Sequence, residues 1–322
     1  MTEFPTLDPE LAAAVTMMPP FDFAHPVTAR VTLDEMRAPE LAELSMDGVS
    51  LRELAAPGIG DAPDVGIRLF TPEESGEGPL PVLLWIHGGG FVVGTAQGDD
   101  PFCVDVARQL RIAVASVDYR LAPETPFPGP HDDCWAALTY LRAAAAELGI
   151  DPERIAVGGQ SAGGGLAASI VLRARDEGAP VAFQLLEIPE LDDRLETVSM
   201  RTFVDTPVWH RPNAILSWQF YLGESYAGPS DPDVSPYAAP ARVTDLAGLP
   251  PTYLCTMELD PLRDEGIDYA QRMMQAGVSV ELHSFPGTFH GSTLIGAEVS
   301  KRSQRELRYA LARGLRVQAP AS

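Results

Sequence analysis

After residue 80 the chain carries six uninterrupted apolar runs: PVLLWIHGGG, IAVASVDY, RIAVGGQS, VAFQLLEIP, PTYLCTME and SVELHSFPG. A strand wetted on one face alternates apolar and polar residues, whereas one covered on both faces does not. Helical patterns separate most of these runs: PFCVDVARQL, HDDCWAALTYLRAAAAELG, AGGGLAASIVLRARDEG and DYAQRMMQAG, with RSQRELRYALARGLR last. Two earlier runs, VSLRELAAP and VGIRLFTP, do alternate across a Gly/Pro/Asp turn and predict an antiparallel pair. The pattern predicts an α/β fold, with a mostly parallel eight-stranded sheet flanked by helices.

Two segments stand outside this rhythm. Residues 6–46 read as helical, opening on the cap Asp8-Pro9 and interrupted by MPPFDF. Between LLEIP and PPTYL lie about sixty residues with no buried-strand pattern but with Phe203, Trp209, Trp218, Phe220 and Tyr221. An insertion of that length in a compact domain is usually functional, so the two segments are expected to pack together over the strand ends, where ligands bind in such sheets. The expected organisation is N-terminal cap helices over 1–48 and a catalytic domain over 49–322, with a cap insertion at about 190–225. Met17, Met18, Phe21, Phe23, Phe203 and Trp209 would then roof a compact apolar pocket, and Phe21, Phe203 and Trp209 are the expected substrate-binding residues.

The chemistry starts at Gly159-Gln160-Ser161-Ala162-Gly163, a G-x-S-x-G run between a buried strand and a helix. A strand that becomes a helix at one residue strains that residue and exposes its side chain at the helix N-terminus. A serine hydroxyl is a poor nucleophile without a base and an orienting carboxylate, which in this architecture follow it in the order acid, then histidine. Of the three later histidines, His210 sits in the insertion and His283 within the last strand; His290 follows that strand in a Gly-flanked loop and is the expected base. Asp260 comes directly after PTYLCTMEL, with Pro261 ending the strand, and is the expected acid. Asp264 is the fallback, since it and Glu265 suit the first turn of the next helix. Such a base works only when neutral, so hydrolysis is expected to slow in acid.

A developing oxyanion needs preorganised donors. His87-Gly88-Gly89-Gly90 follows another buried strand, and side-chain-free residues let backbone N–H groups converge; Gly88, Gly89, Gly90 and Ala162 are the candidate oxyanion hole. The triple glycine lacks the Lys-Ser/Thr of a P-loop and the spacing of a dinucleotide fingerprint.

The runs HGGGF, VDYRLAPE, GQSAGGG, DPLRDEG and FHG resemble the hormone-sensitive-lipase-like (bacterial family IV) carboxylesterases of the α/β-hydrolase fold, from about residue 50 to near the end. The resemblance implies a Ser161, Asp260, His290 triad, oxyanion donors on Gly89, Gly90 and Ala162, and His87 positioning their loop. It also implies a lid made of the N-terminal helices and the insertion after Pro189. LEIPELDDRLETVSM, FVDTPVWHRPNAILSW and LHSFPGTFHG are similar to stretches of a bacterial acetylesterase acting on an acetylated morphine alkaloid.

Two departures stand out. Gln160 occupies a position where most relatives carry Asp or a small residue; its amide can donate and accept, so it can brace the turn without adding charge beside His290. Glu187 and Glu190 replace apolar or aromatic residues. They belong either to a solvated loop paired with Arg194 and Arg201, the ordinary outcome, or to the pocket, where they would suit a cationic amine.

The reading is a serine carboxylesterase for short-chain esters of small molecules, working without cofactor or metal. The alternatives are a non-catalytic binding protein on the same fold and an amidase or peptidase using the same triad. A net charge of −22 argues against nucleic acid and anionic membranes as partners. Cys103, Cys134 and Cys255 have no metal or redox spacing, and MTEFPTLDPE resembles no secretory signal, so a cytoplasmic protein with reduced thiols is expected. The last strand is expected at a sheet edge, where a homodimer would form.

Overall fold

A computed structural model describes residues 7–17, 22–74, 76 and 78–319. Eight strands form one sheet: β1 (Val49–Ala56), β2 (Val65–Pro72), β3 (Leu80–Ile86), β4 (Ala113–Asp118), β5 (Ile150–Gln160), β6 (Phe183–Glu187), β7 (Thr252–Leu259) and β8 (Val280–Phe289). Their spatial order is β1-β2-β4-β3-β5-β6-β7-β8. β2 pairs antiparallel with β1 and with β4, while the six strands β3 to β8 run parallel to one another. The expected mostly parallel sheet is therefore the observed one, and β8 lies at its edge.

Ten helices accompany it among the described residues: α1 (Pro9–Val15), α2 (Pro26–Glu43), α3 (Asp100–Leu110), α4 (Gly129–Ala143), α5 (Ala145–Leu148), α6 (Ala162–Asp176), α7 (Val198–Thr202), α8 (Arg211–Leu222), α9 (Arg263–Gln275) and α10 (Glu298–Gly314). The sheet separates two cores. Val82, Leu84 and Ile86 of β3 face the helices α4, α6 and α9, while Leu83 and Trp85 face α3 and α10. Successive strand residues point to opposite faces, so both faces need apolar side chains, and that requirement produces the unbroken runs.

The two segments outside the alternation are anchored to the strand ends. Asp8 caps α1 by accepting from Glu10 N–H at 2.9 Å, and Leu11 is fully buried in a cluster with Leu259 and Phe289. Arg30 of α2 donates to the carbonyls of Val92 and Ala122 at 2.8 and 2.9 Å, tying that helix to the loops after β3 and β4. Trp218 and Tyr221 of α8 are buried against Phe91 from the loop after β3. Among the described residues, no helix is long and apolar enough to cross a membrane.

Candidate active site

β5 ends at Gln160 and α6 begins at Ala162, so Ser161 makes the entire turn, with φ 57° and ψ −121°. A non-glycine residue held there carries about 1–3 kcal/mol of strain and persists only where its surroundings fix it. They do: Ser161 N–H donates to Glu187 C=O at 2.9 Å, and its own C=O accepts from Gly165 and Glu190 N–H, each at 3.0 Å. The two motif glycines are steric requirements. A Cβ on Gly159 would lie 2.3 Å from the Gly163 oxygen, and one on Gly163 would lie 2.1 Å from the Ile86 oxygen.

The Ser161 hydroxyl lies 2.8 Å from His290 Nε2. His290 Nδ1 lies 2.7 Å from Asp260 Oδ2, and the other Asp260 oxygen accepts Leu262 N–H at 2.8 Å. The last bond orients a carboxylate that is only 1% exposed. Because Asp260 can only accept, the imidazole proton sits on Nδ1, which leaves Nε2 free to accept from the serine. Three residues distant in sequence thus form one buried relay. The other histidines lie outside it: His210 caps α8, and His283 bonds Glu281 on its own strand at 2.8 Å. Asp264 accepts Ser199 N–H and pairs with Arg263, while Glu265 accepts Leu191 N–H, as first-turn residues of α9.

Beside the nucleophile runs the loop His87-Gly88-Gly89-Gly90. Buried His87 stacks on Tyr119 at 4.2 Å and donates from Nδ1 to Gly88 C=O at 2.8 Å; burial lowers its pKa, which keeps the ring neutral. Tyr119 in turn donates to His87 C=O at 3.0 Å, and Ser217 of α8 to Gly90 C=O at 3.0 Å. These bonds hold the loop by its carbonyls. Among the described residues, no acceptor meets the N–H groups of Gly89, Gly90 or Ala162. Gly90 is also closely roofed: a Cβ there would lie 2.6 Å from both Phe23 and Trp209.

Of the expected pocket residues, Trp209 does reach the site, its ring 5.7 Å from His290 and edge-on to Phe23 at 5.2 Å. Phe203 packs instead with the cluster around Leu11, Leu259 and Phe289, under the Arg263 guanidinium. Met17 is 84% exposed and roofs nothing. Phe21 and Met18 lie outside the described residues.

The Arg-paired reading of the LEIPELDD loop is corrected by burial. Arg194 pairs with Asp192 and Arg201 with Glu196, leaving Glu187 and Glu190 enclosed with no cation paired to them among the described residues. Glu187 accepts from Gln160 Nε2 and from Gln304 Nε2 of α10, each at 3.0 Å, and Gln160 also reaches Thr293 at 3.4 Å. Burial nevertheless pushes the Glu187 carboxyl up to about 7, against the pull of Gln160 and Thr293. Among the described residues neither Glu190 oxygen has a hydrogen-bond partner, and burial pushes that carboxyl up to about 8 despite the neighbouring Ser217 hydroxyl. Gln304, Thr293 and Ser217 had no sequence signal: they sit in helical or loop stretches of ordinary composition, and only the fold brings them to the elbow. One group with metal-ligand types, Glu281, His283 and Glu306, has its ligand atoms within 4.8 Å of one another, but Glu281 is already paired with Arg313 and His283, away from the triad.

Comparison with known proteins agrees with this geometry. A family described by its α/β-hydrolase fold matches residues 83–294. The carboxylesterase NlhH of Mycobacterium tuberculosis is 39% identical over 294 residues, 89% of each chain. An ethyl acetate hydrolase of Pseudomonas putida is 32% identical over 247 residues, 76% of each chain. The solved structure of a bacterial heroin esterase superposes with a TM-score of 0.96 at 71% identity, covering 98% of this chain and 99% of the other.

Proposed function

This chain belongs to the α/β-hydrolase family, among its hormone-sensitive-lipase-like serine carboxylesterases, and from that premise we propose that it hydrolyses short-chain, acetyl-type esters of small molecules, acetylated alkaloids among them. His290 removes the Ser161 proton as the hydroxyl attacks the ester carbonyl, while Asp260 stabilises the imidazolium. The tetrahedral oxyanion rests on the N–H groups of Gly89, Gly90 and Ala162, with Gly88 completing the loop. His290 then protonates the leaving alcohol, and water attacks the acyl-enzyme by the same route.

The observation that carries this reading is the continuous Ser161–His290–Asp260 relay, with contacts of 2.8 and 2.7 Å. The short-acyl preference is supported by the roof that Phe23 and Trp209 form over Gly90, which leaves little length there for an acyl chain. The N-terminal helices and the segment at about 190–225 serve as the cap that excludes water, with Trp209 as its substrate-binding residue beside His290. A homodimer through β8 is the assembly proposed for the open sheet edge, and gel filtration tests it.

The deciding experiment is a p-nitrophenyl ester series from acetate to long chains, with paired anilides and a serine-directed phosphonate. The reading expects fastest turnover of the shortest esters, slow anilides and a phosphonate adduct on Ser161. Preference for emulsified long-chain lipid, or an adduct elsewhere, overturns it.

A further inference from the structure

A cleft of about 470 Å³ lies between α10, the end of α3 and the loop that follows His290. Its walls include Gln109, Thr293, Lys301, Gln304, Arg305 and Arg308. Three of the lining residues are cationic and none is acidic, in a chain where 45 acidic residues face 23 basic ones. Two of these cations are balanced from outside the walls, Lys301 by Glu298 at 2.7 Å and Arg308 by Asp105 at 2.8 Å. Arg305 is exposed and has no ion-pair partner among the described residues. The cleft thus offers the unpaired Arg305 guanidinium and a net positive charge, in a volume within the range of small-molecule sites.

We propose that this cleft binds a small oxyanion, a phosphate or carboxylate group, and that its occupancy is felt at the nucleophile. The connection is short. Gln304 lines the cleft and donates to Glu187, while Thr293 lines it and receives a bond from Gln160, the residue before Ser161. The Glu187 carbonyl holds the Ser161 N–H. An anion on Arg305 and Arg308 competes with Glu187 for the Gln304 amide. Losing that donor weakens the support of a strained turn, so occupancy lowers kcat. Nothing in the triad itself takes part.

The test is calorimetric titration of the full chain with inorganic phosphate and, separately, succinate, against sodium chloride at equal ionic strength. The same additions are then followed by ester hydrolysis. The proposal expects a saturable one-site heat with at least one oxyanion, and the arm that responds identifies phosphate or carboxylate as the ligand group. Arg305→Glu, at an exposed position, should weaken that binding about tenfold or more. In the unmodified protein kcat should fall along the same curve as the heat, and in Arg305→Glu it should not. Heats absent from both arms, affinity unchanged in Arg305→Glu, or a kcat response matched by sodium chloride would each overturn it. Calorimetry needs no turnover, so failure of the esterase reading and failure of this one are separable.

Discussion

Replacing Glu187 with Gln should make the stability of this protein less sensitive to alkali. The Glu187 carboxyl is fully enclosed behind the catalytic turn, where two amide donors only partly offset its lost hydration, and burial pushes it from 4.5 to about 7. The folded chain therefore holds this proton more tightly than the unfolded chain. Between pH 4.5 and about 7 the folded state binds more protons, so stability falls as pH rises through that window and is level above it. A shift of that size makes the ionised carboxylate cost about 3 kcal/mol at pH 8 but under ~1 kcal/mol at pH 5. Glu187→Gln keeps the shape but cannot ionise, and its amide nitrogen is met when one partner glutamine turns its oxygen inward. Relative to the unmodified protein, the variant should gain about 2–2.5 kcal/mol between pH 5 and pH 8. Urea unfolding of both proteins at these two pH values measures the difference, and every other titrating group common to both cancels. If the two stability curves run parallel in pH, burial does not raise this carboxyl and the reasoning fails.

Gln160→Glu should lower stability at pH 8 by about 3 kcal/mol, because a second carboxylate would face Glu187; the deficit should shrink at pH 5.5, where the pair shares a proton, and urea titration at both pH values reads it. Asp260→Asn should cut kcat/KM about 10⁴-fold, since Leu262 N–H holds the amide oxygen and turns the amide NH₂ toward Nδ1, which forces the imidazole proton onto Nε2. Asp264→Asn should instead leave turnover nearly intact while lowering the melting temperature; an equal loss in both variants would contradict the assignment of the acid. Gly90→Ala should reduce kcat/KM about 10²-fold in a chain that still folds, judged by circular dichroism, because the new methyl would displace Phe23 and Trp209 or the loop itself.

Much of this protein is legible along the chain because its requirements are local. Burial on both faces of a strand demands unbroken apolar runs, and those runs gave the sheet. The tight strand-to-helix turn demands glycines beside Ser161, and the spacing gave the nucleophile. Strand ends place chemistry, so Asp260 beside Pro261 and His290 in its Gly-flanked loop were already the expected acid and base. Phe203 was less legible, because an aromatic in a long insertion packs wherever a space opens, and here that space lies beneath Arg263 and beside Leu259. The LEIPELDD loop stays open in the sequence for a related reason: charge along a sequence does not say on which side of a wall it ends.

The alternation of strand and helix, the elbow and the identity of three reacting groups are written locally along the chain, since each follows from sterics or chemistry within a few residues. Packing settled which carboxylates are enclosed, that Gln160 and Gln304 share Glu187 across 144 positions, and that Ser217 of α8 holds the Gly90 carbonyl. Burial and hydrogen-bond partnership are properties of the packed chain, set by which helices come to lie against the same strand ends.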